Sequence, residues 1–272
     1  MSALVFTLKT PPRQRVDLTP LTPERLRDIA PGDIARIELA SGNRRIPAGE
    51  LFAVAPGDPA EIVIRNAVSR LDFIGRDMRD GAITVEGDAG AYLGQGLGGG
   101  RIRVTGSAGP WAAAEMQGGS IVIDGDAGDF LGAALPGAMR GMSGGLVAVR
   151  GRAGERAGDR MRRGIIVVHG AAGAYAGSRM IAGTLVVMGG GSGAYPGLGM
   201  KRGTLLFPEL PQSVLPSFVD CGTHELGFLS VLHRTLRDLD SDAIANIALA
   251  TRVRRYVGDA ANDGKGEILV WQ

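Results

Sequence analysis

From Ala60 to Phe207 the chain restates one pattern, a small residue followed by alternating hydrophobic positions, with unit starts at Ala60, Gly81, Gly100, Gly119, Gly145, Gly164, Gly183 and Gly203. Most steps are 19 residues, and one unit is expanded. A period this short holds neither a two-helix repeat nor a propeller blade, so each unit has room only for short strands and corners. The third and fifth positions are apolar in every unit: Ile62/Ile64, Ile83/Val85, Ile102/Val104, Ile121/Ile123, Val147/Val149, Ile166/Val168, Leu185/Val187 and Leu205/Phe207. Residues two apart on a strand share a face, so these pairs point inward. No single unit can bury them, and stacking neighbours can.

Two more columns follow the same period. One reads Phe73, Tyr92, Trp111, Phe130, Arg156, Tyr175, Tyr195, and the other Met78, Leu97, Met116, Met142, Met161, Met180, Met200. The expected fold is therefore all-β, a right-handed parallel β-helix (solenoid) of about eight coils with α/β caps. The hand follows from the strong preference of parallel connections. Left-handed helices built on hexapeptides need a period divisible by six, which this one is not.

Glycine supplies 44 of 272 residues, against a usual share of roughly 7%. Its spacing has no Gly-X-Y register, which excludes collagen, and the Ile and Val runs exclude disorder. The glycines instead form a corner motif, as in Gly87/Gly90/Gly94, Gly125/Gly128/Gly132, Gly151/Gly154/Gly158 and Gly170/Gly173/Gly177. Corners need positive φ and close approach of adjacent layers, and glycine permits both.

Three segments result: an N-terminal cap at 1–59, repeats at 60–210 and a C-terminal cap at 211–272. In the first, "TPERLRDI" signals a short helix with Thr22 as N-cap and Pro23 in its first turn, followed by a hairpin around Ala40–Asn43. In the last, Leu226, Leu229, Leu232 and Leu236 mark one helical stripe, and the end of the chain reads as two strands and a turn. A single cysteine, Cys221, leaves no internal disulfide framework. The N-terminus lacks a signal-peptide pattern, and no window reaches the roughly 20 apolar residues of a membrane span. A cytoplasmic protein with no membrane partner is expected.

Catalytic signals are weak, and no catalytic or metal-binding residue is assigned. "CGTHE" (Cys221–Glu225) offers Cys-x-x-His without the second ligand pair that structural zinc requires. The methionine column reads as core filling. The aromatic column reads as a stack, with Arg156 against Phe130 or Tyr175 by cation–π contact. The outward positions scatter their carboxylates, unlike a calcium-dependent lyase wall, and "GQGLGGG" (Gly94–Gly100) falls on a corner instead of launching a helix.

Two features point to binding. Outward positions of the later units carry an apolar strip, Val122, Leu146, Ala148, Ile165, Val167, Val186 and Leu206, which must be covered either by the chain's own Leu-striped helix or by a partner subunit. Beside the methionine column lies a basic set, Arg140, Arg160, Arg162, Arg163, Arg179, Lys201 and Arg202, with Arg140 added by the expansion at Leu135–Gly141. It reads either as a solvated edge or as an anion-binding surface that uses the planar arginine fork on carboxylates. Nucleic acid is not expected, because no aromatics are interleaved with these charges.

The stacked corner motifs, the "IPAGELFAVAPGDPAEIVI" run (Ile46–Ile64) and the "GKGEILVW" tail (Gly264–Trp271) together resemble the C-type subunit of formylmethanofuran dehydrogenase. The repeats alone also resemble the C-terminal β-helix of glutamate synthase. The resemblance implies a non-catalytic β-helix inside a multi-subunit assembly, with no cofactor held by this chain. Two settings are implied. One is a molybdenum or tungsten dehydrogenase that reduces CO2 to formylmethanofuran. The other is the formyltransferase/hydrolase complex of methylotrophs, which passes a formyl group from tetrahydromethanopterin to a methanofuran-type carrier and releases formate. The Arg-rich, Cys-poor composition favours the second. Its implied partners are a formyltransferase subunit, an amidohydrolase-like subunit and a third larger subunit, with any metal held by those chains. Methanofuran-type carriers bear glutamate tails, which the basic set would suit. An independent module for an acidic polymer is the alternative of a different class.

Overall fold

The residues that repeat are the residues that pair. The structure, a computed structural model, describes residues 2–239 and 251–272. The chain begins with β1 (Ala3–Leu8), β2 (Val16–Asp17), the short helices α1 (Pro23–Leu26) and α2 (Pro31–Ile34), β3 (Glu38–Ser41), β4 (Arg44–Pro47), α3 (Ala48–Leu51) and β5 (Phe52–Ala55). Next come β6 (Asp58–Ala67) and β7 (Leu71–Asp72), then one principal strand per repeat: β8 (Ala82–Gly87), β9 (Arg101–Val104), β10 (Ser120–Ile123), β11 (Ser143–Val149), β12 (Arg163–Val168), β13 (Thr184–Val187) and β14 (Arg202–Phe207). The chain ends with β15 (Val219–Glu225), α4 (Phe228–Leu239), β16 (Arg252–Gly258) and β17 (Lys265–Trp271). The fold is all-β with few helices.

A 13-stranded sheet runs in the order β15-β16-β17-β14-β13-β12-β11-β10-β9-β8-β6-β1-β5, and a second sheet runs β4-β3-β2-β7. From β1 to β17 every neighbour in the large sheet is parallel and in register, so one inward column runs Leu4, Ile62, Ile83, Ile102, Ile121, Val147, Ile166, Leu185, Leu205, Ile268. All ten are buried. At each end the direction reverses: β5 pairs antiparallel with β1, and β16 pairs antiparallel with β17. The caps thus extend the sheet, and the core column passes into both of them.

A second parallel ladder connects the corners through Ala89, Ala108, Ala127, Ala153, Ala172 and Ser192. Strand and corner both lie at hydrogen-bonding distance from the layer below, so the residue after each of these alanines has no space for a side chain. A Cβ on Gly173 would sit 2.6 Å from the Gly154 carbonyl carbon. Three residues beyond each ladder residue, the chain turns through positive φ at Tyr92, Trp111, Phe130, Arg156, Tyr175 and Tyr195, and Phe73 does so in the preceding unit; all seven lie between 56° and 63°. This conformation costs a non-glycine residue about 1–2 kcal/mol. Stacking offsets it. Phe73–Tyr92, Tyr92–Trp111 and Trp111–Phe130 have ring centroids 4.7, 5.6 and 4.6 Å apart and nearly parallel planes, each worth about 0.5–1.5 kcal/mol beyond buried area. The Arg156 guanidinium carries the stack onward, 4.7 Å from the Tyr175 ring centre. The methionine column is fully buried.

The apolar strip is covered from within the chain. Val122, Leu146, Ala148, Val167, Val186 and Leu206 are buried in one cluster with Leu229 and Leu232 of α4, Val253 of β16 and Leu269 of β17, and Ile165 and Leu226 pack against it. The strip is therefore not an open subunit interface, because the chain folds its own C-terminal elements over it. The side chain of Leu236 lies outside the described residues.

The capping segments are tied down by buried carboxylates. Asp72 takes two hydrogen bonds from Arg15, at 2.6 and 2.7 Å, and one from the Ala91 amide. Pro23 opens α1 as expected, and Thr22 stands at its N-cap in extended conformation without a side-chain cap bond. The β3–β4 hairpin turns at Gly42, whose φ is 59°. At the other end Asp259 accepts from the amides of Gly199 and Ala261 and from Asn262 Nδ2, each at 3.1 Å. Burial alone would raise the Asp259 pKa, but hydrogen bonds from Ser217, the two amides and Asn262 outweigh it and hold the group below the ordinary aspartate value.

Two stability measurements follow from these contacts. Gly173→Ala forces a methyl into backbone and is expected to cost about 1–3 kcal/mol, while Gly32→Ala, with nothing within 4 Å of the added atom, stays neutral or gains slightly; urea unfolding compares them. Because the folded pKa of Asp259 is depressed, its contribution is complete above the unfolded value of about 3.9 and is lost as pH falls through the folded one. Asp259→Asn is expected to lose about 1–3 kcal/mol at pH 7 and to flatten the acid limb of stability against pH.

Candidate functional site

The two residues that follow each methionine of the core column face outward where the chain enters the next strand. Their backbone is already committed: the amides of Ser143, Arg162, Ile181 and Lys201 donate to the carbonyls of Met116, Met142, Met161 and Met180 at 2.7–2.8 Å. Repetition therefore stacks Gln117, Ser143, Arg162, Ile181 and Lys201 in one file, and Arg163, Ala182 and Arg202 in the file beside it. In the second file Ser143 pairs with Arg163 and Arg202 with Lys265, while Ala182 lies just ahead of β13.

These files line a cleft of about 880 Å³. Arg140, Arg162, Arg163, Lys201 and Arg202 face it, with Glu115 and Asp263 as the carboxylates. Among the described residues none of the five cations forms a side-chain hydrogen bond or ion pair. Other arginines are paired: Arg103 and Arg150 with Asp124, Arg254 with Asp220, and Arg255 with Glu267. The cleft thus holds a net excess of positive charge with no internal counter-ion on those groups.

Arg160 and Arg179 do not join it. Both precede a core methionine and lie at positive φ, 54° and 52°, which turns their side chains away from the residues that follow the methionine. They line a separate cavity of about 360 Å³ against Trp111 and Phe130. Arg179 is spent on Asp159, with Nε 2.9 Å and Nη2 2.6 Å from its two carboxylate oxygens, and Ser178 donates to the same carboxylate at 2.6 Å. The hydrogen bond to Asp159 holds the Arg179 pKa above its ordinary value. Arg160 donates to the Ala138 carbonyl in the expansion loop at 2.9 Å. The expected single basic edge is therefore two sites, because the turn between adjacent residues reverses their direction.

Sequence reading left out Gln117, Ser143, Glu115 and Asp263. The first two were within reach, since they occupy the same repeat position as Arg162 and Lys201. Asp263 comes from the turn between β16 and β17 and carries no such signal. Cys221 and His224 lie on β15, where His224 Nε2 is 2.9 Å from the Cys221 carbonyl oxygen. Among the described residues no three His, Cys, Asp or Glu side chains gather as a metal site, and no helix is long and apolar enough to cross a membrane.

Comparison with known proteins places this architecture. No protein-family model matches the chain. The C-type subunit of the tungsten-containing formylmethanofuran dehydrogenase 2 of Methanococcus maripaludis is 33% identical over 95 residues, 34% of this chain and 35% of that one. The C-type subunit of the formyltransferase/hydrolase complex Fhc of Methylorubrum extorquens is 42% identical over 80 residues, 29% of this chain and 30% of the relative. The chain thus spans about a third of the length of these curated relatives. A solved structure matches from end to end: a chain of the formyltransferase/hydrolase complex (FhcABCD) from Methylorubrum extorquens, in complex with methylofuran, superposes with a TM-score of 0.91 at 40% identity, covering 98% of this chain and 99% of that one. By sequence and by fold, this chain belongs to the family of C-type subunits of formylmethanofuran dehydrogenases and formyltransferase/hydrolase complexes.

Proposed function

We propose that this chain is a right-handed parallel β-helix of about eight coils, with residues 60–210 as repeats and 1–59 and 211–272 as caps, and that it serves as the non-catalytic structural subunit of a formyltransferase/hydrolase complex. The winding is supported by two parallel ladders, one in the strands and one at the corner alanines, that advance together from unit to unit. The observation that carries the assembly reading is the end-to-end match at 40% identity to a chain of such a complex. In this reading the assembly moves a formyl group from formyl-tetrahydromethanopterin through a methanofuran-type carrier to formate. Chemistry resides in a formyltransferase subunit, an amidohydrolase-like subunit and a third larger subunit.

A second reading, the equivalent subunit of a molybdenum or tungsten formylmethanofuran dehydrogenase, is favoured by the 33% identity to the Methanococcus maripaludis protein. Purification of the native protein under mild conditions, with solution mass and mass spectrometry of co-eluting chains, decides between them. Co-elution with a formyltransferase and an amidohydrolase-like chain is expected. A molybdopterin chain with iron–sulfur clusters moves the protein to the dehydrogenase, and a monomer eluting alone overturns the assembly reading.

A further inference from the structure

We propose that two copies of this chain pair through the face that carries the expansion Leu135–Gly141, about a two-fold axis that passes through that loop. The inference concerns the chain's own surface and holds whichever assembly it enters.

The position just before the core methionine column changes sign along the chain. It holds Asp77 and Glu115 in units before the expansion, then Arg160 and Arg179 in units after it, all four at φ between 52° and 56°. One conformation repeated at layer spacing delivers these side chains along a line, acids on one side of the loop and bases on the other. The outer two are already paired, Asp77 with Arg76 and Arg179 with Asp159. The inner two form no ion pair among the described residues. Both instead hold the loop: Glu115 Oε1, on the rim of the basic cleft, accepts from the Leu135 amide at 3.4 Å, and Arg160 Nη1 donates to the Ala138 carbonyl at 2.9 Å. The Glu115 amide bonds to the Ala133 carbonyl and the Gly141 amide to the Arg160 carbonyl. The loop's own layer therefore lies between theirs, with the acid one layer to one side and the base one layer to the other.

Between the two charges the surface is apolar. Met139 is 74% exposed, the most exposed large hydrophobic side chain among the described residues. The cavity of about 360 Å³ beside it is walled by Trp111 and Phe130. An unbranched thioether fills irregular gaps of this kind and gains from sulfur–ring contact.

The antisymmetry of the charges selects the occupant. A two-fold axis through the loop, perpendicular to the stacking direction, reverses the order of the layers. Glu115 of each copy then meets the second copy's Arg160, so two ion pairs form. The Met139 side chains come together near the axis, each beside the other copy's aromatic cavity. A patch complementary to itself is what an isologous contact requires, and an apolar centre inside a charged rim is the usual anatomy of an interface. A protein of different sequence would need no such sign change about the loop.

Analytical ultracentrifugation of the full-length chain is expected to give the mass of two copies. Glu115→Arg alone, or Arg160→Glu alone, sets like charges against each other at both pairs and is expected to weaken self-association at least about a hundredfold. The two residues already share one backbone conformation, so both variants should keep the parent's circular dichroism and melting behaviour. Mixed in equal amounts, the two variants are expected to recover the two-copy mass, because every cation then faces an anion. Met139→Asp, which places two carboxylates at the axis, abolishes pairing, and Arg44→Gln with Arg45→Gln, on the exposed β4 strand, leaves it unchanged. A parent chain that stays monomeric across the concentration series overturns the proposal, as does a mixture of folded variants that stays monomeric. So does a native assembly holding a single copy of this chain, which would assign the face to a different neighbour. The two readings fail separately: the identity of co-eluting chains tests the assembly, and the mixing experiment tests the pairing.

Discussion

When two layers of backbone hydrogen-bond at a corner as well as along a strand, no Cβ fits between them. That exclusion governs the glycine column that includes Gly154 and Gly173, where an added methyl would meet backbone of the preceding unit at 2.5–2.8 Å, and at Gly154 also the Asp129 side chain at 2.2 Å. Because the corners close to the same spacing as the strands, the layers stay in register over their whole perimeter. One inward column can then run unbroken from Leu4 to Ile268. A looser corner would let each layer tilt, and the core pairs would slide out of alignment. Stability in such an array is a sum of neighbour terms, so one blocked corner weakens two interfaces at once.

The turn that follows the close approach has its own cost, and the aromatic column shows how it is met. Seven non-glycine residues adopt positive φ at the same repeat position, where local preference alone would select glycine or asparagine. Side chains leaving the backbone in this conformation are delivered in parallel, one layer above the next, so rings meet face to face. Arg156 keeps both properties, positive φ and a face over Tyr175. Its place in the column comes directly after Phe130, across the expanded unit, so the stack changes chemistry where the spacing changes. A planar cation is the side chain that can interrupt an aromatic stack and still lie flat on the next ring.

The repeats were legible because period and register coincide: once units are aligned every 19 residues or so, inward pairs, methionines and ladder residues fall into columns that the structure buries or stacks. Leu229 and Leu232 were readable as a helix face, with Leu226 packing from just ahead of α4, and the strip they cover was readable as a surface needing cover. Long-range placement was not readable. "GKGEILVW" reads as a strand, but nothing local says that β17 lies parallel to β14 and puts Ile268 into the core column while Leu269 joins the outer cluster. The division of the basic set was hidden for a different reason. Arg160 and Arg162 are two positions apart, and on a regular strand they would share a face. The positive φ of Arg160 itself redirects it, which no hydrophobic pattern reports.

The same geometry decides which positions of a layer are committed to the fold. Inward positions are fixed by packing and corner positions by backbone clearance, whereas the outward residues after each methionine carry neither duty. Whatever stands there is repeated at layer spacing, and the chain places Gln117, Ser143, Arg162 and Lys201 in file with one apolar rung, Ile181, between the last two. The core columns hold the frame, and the file beside the methionines repeats its outward chemistry at the spacing of the layers.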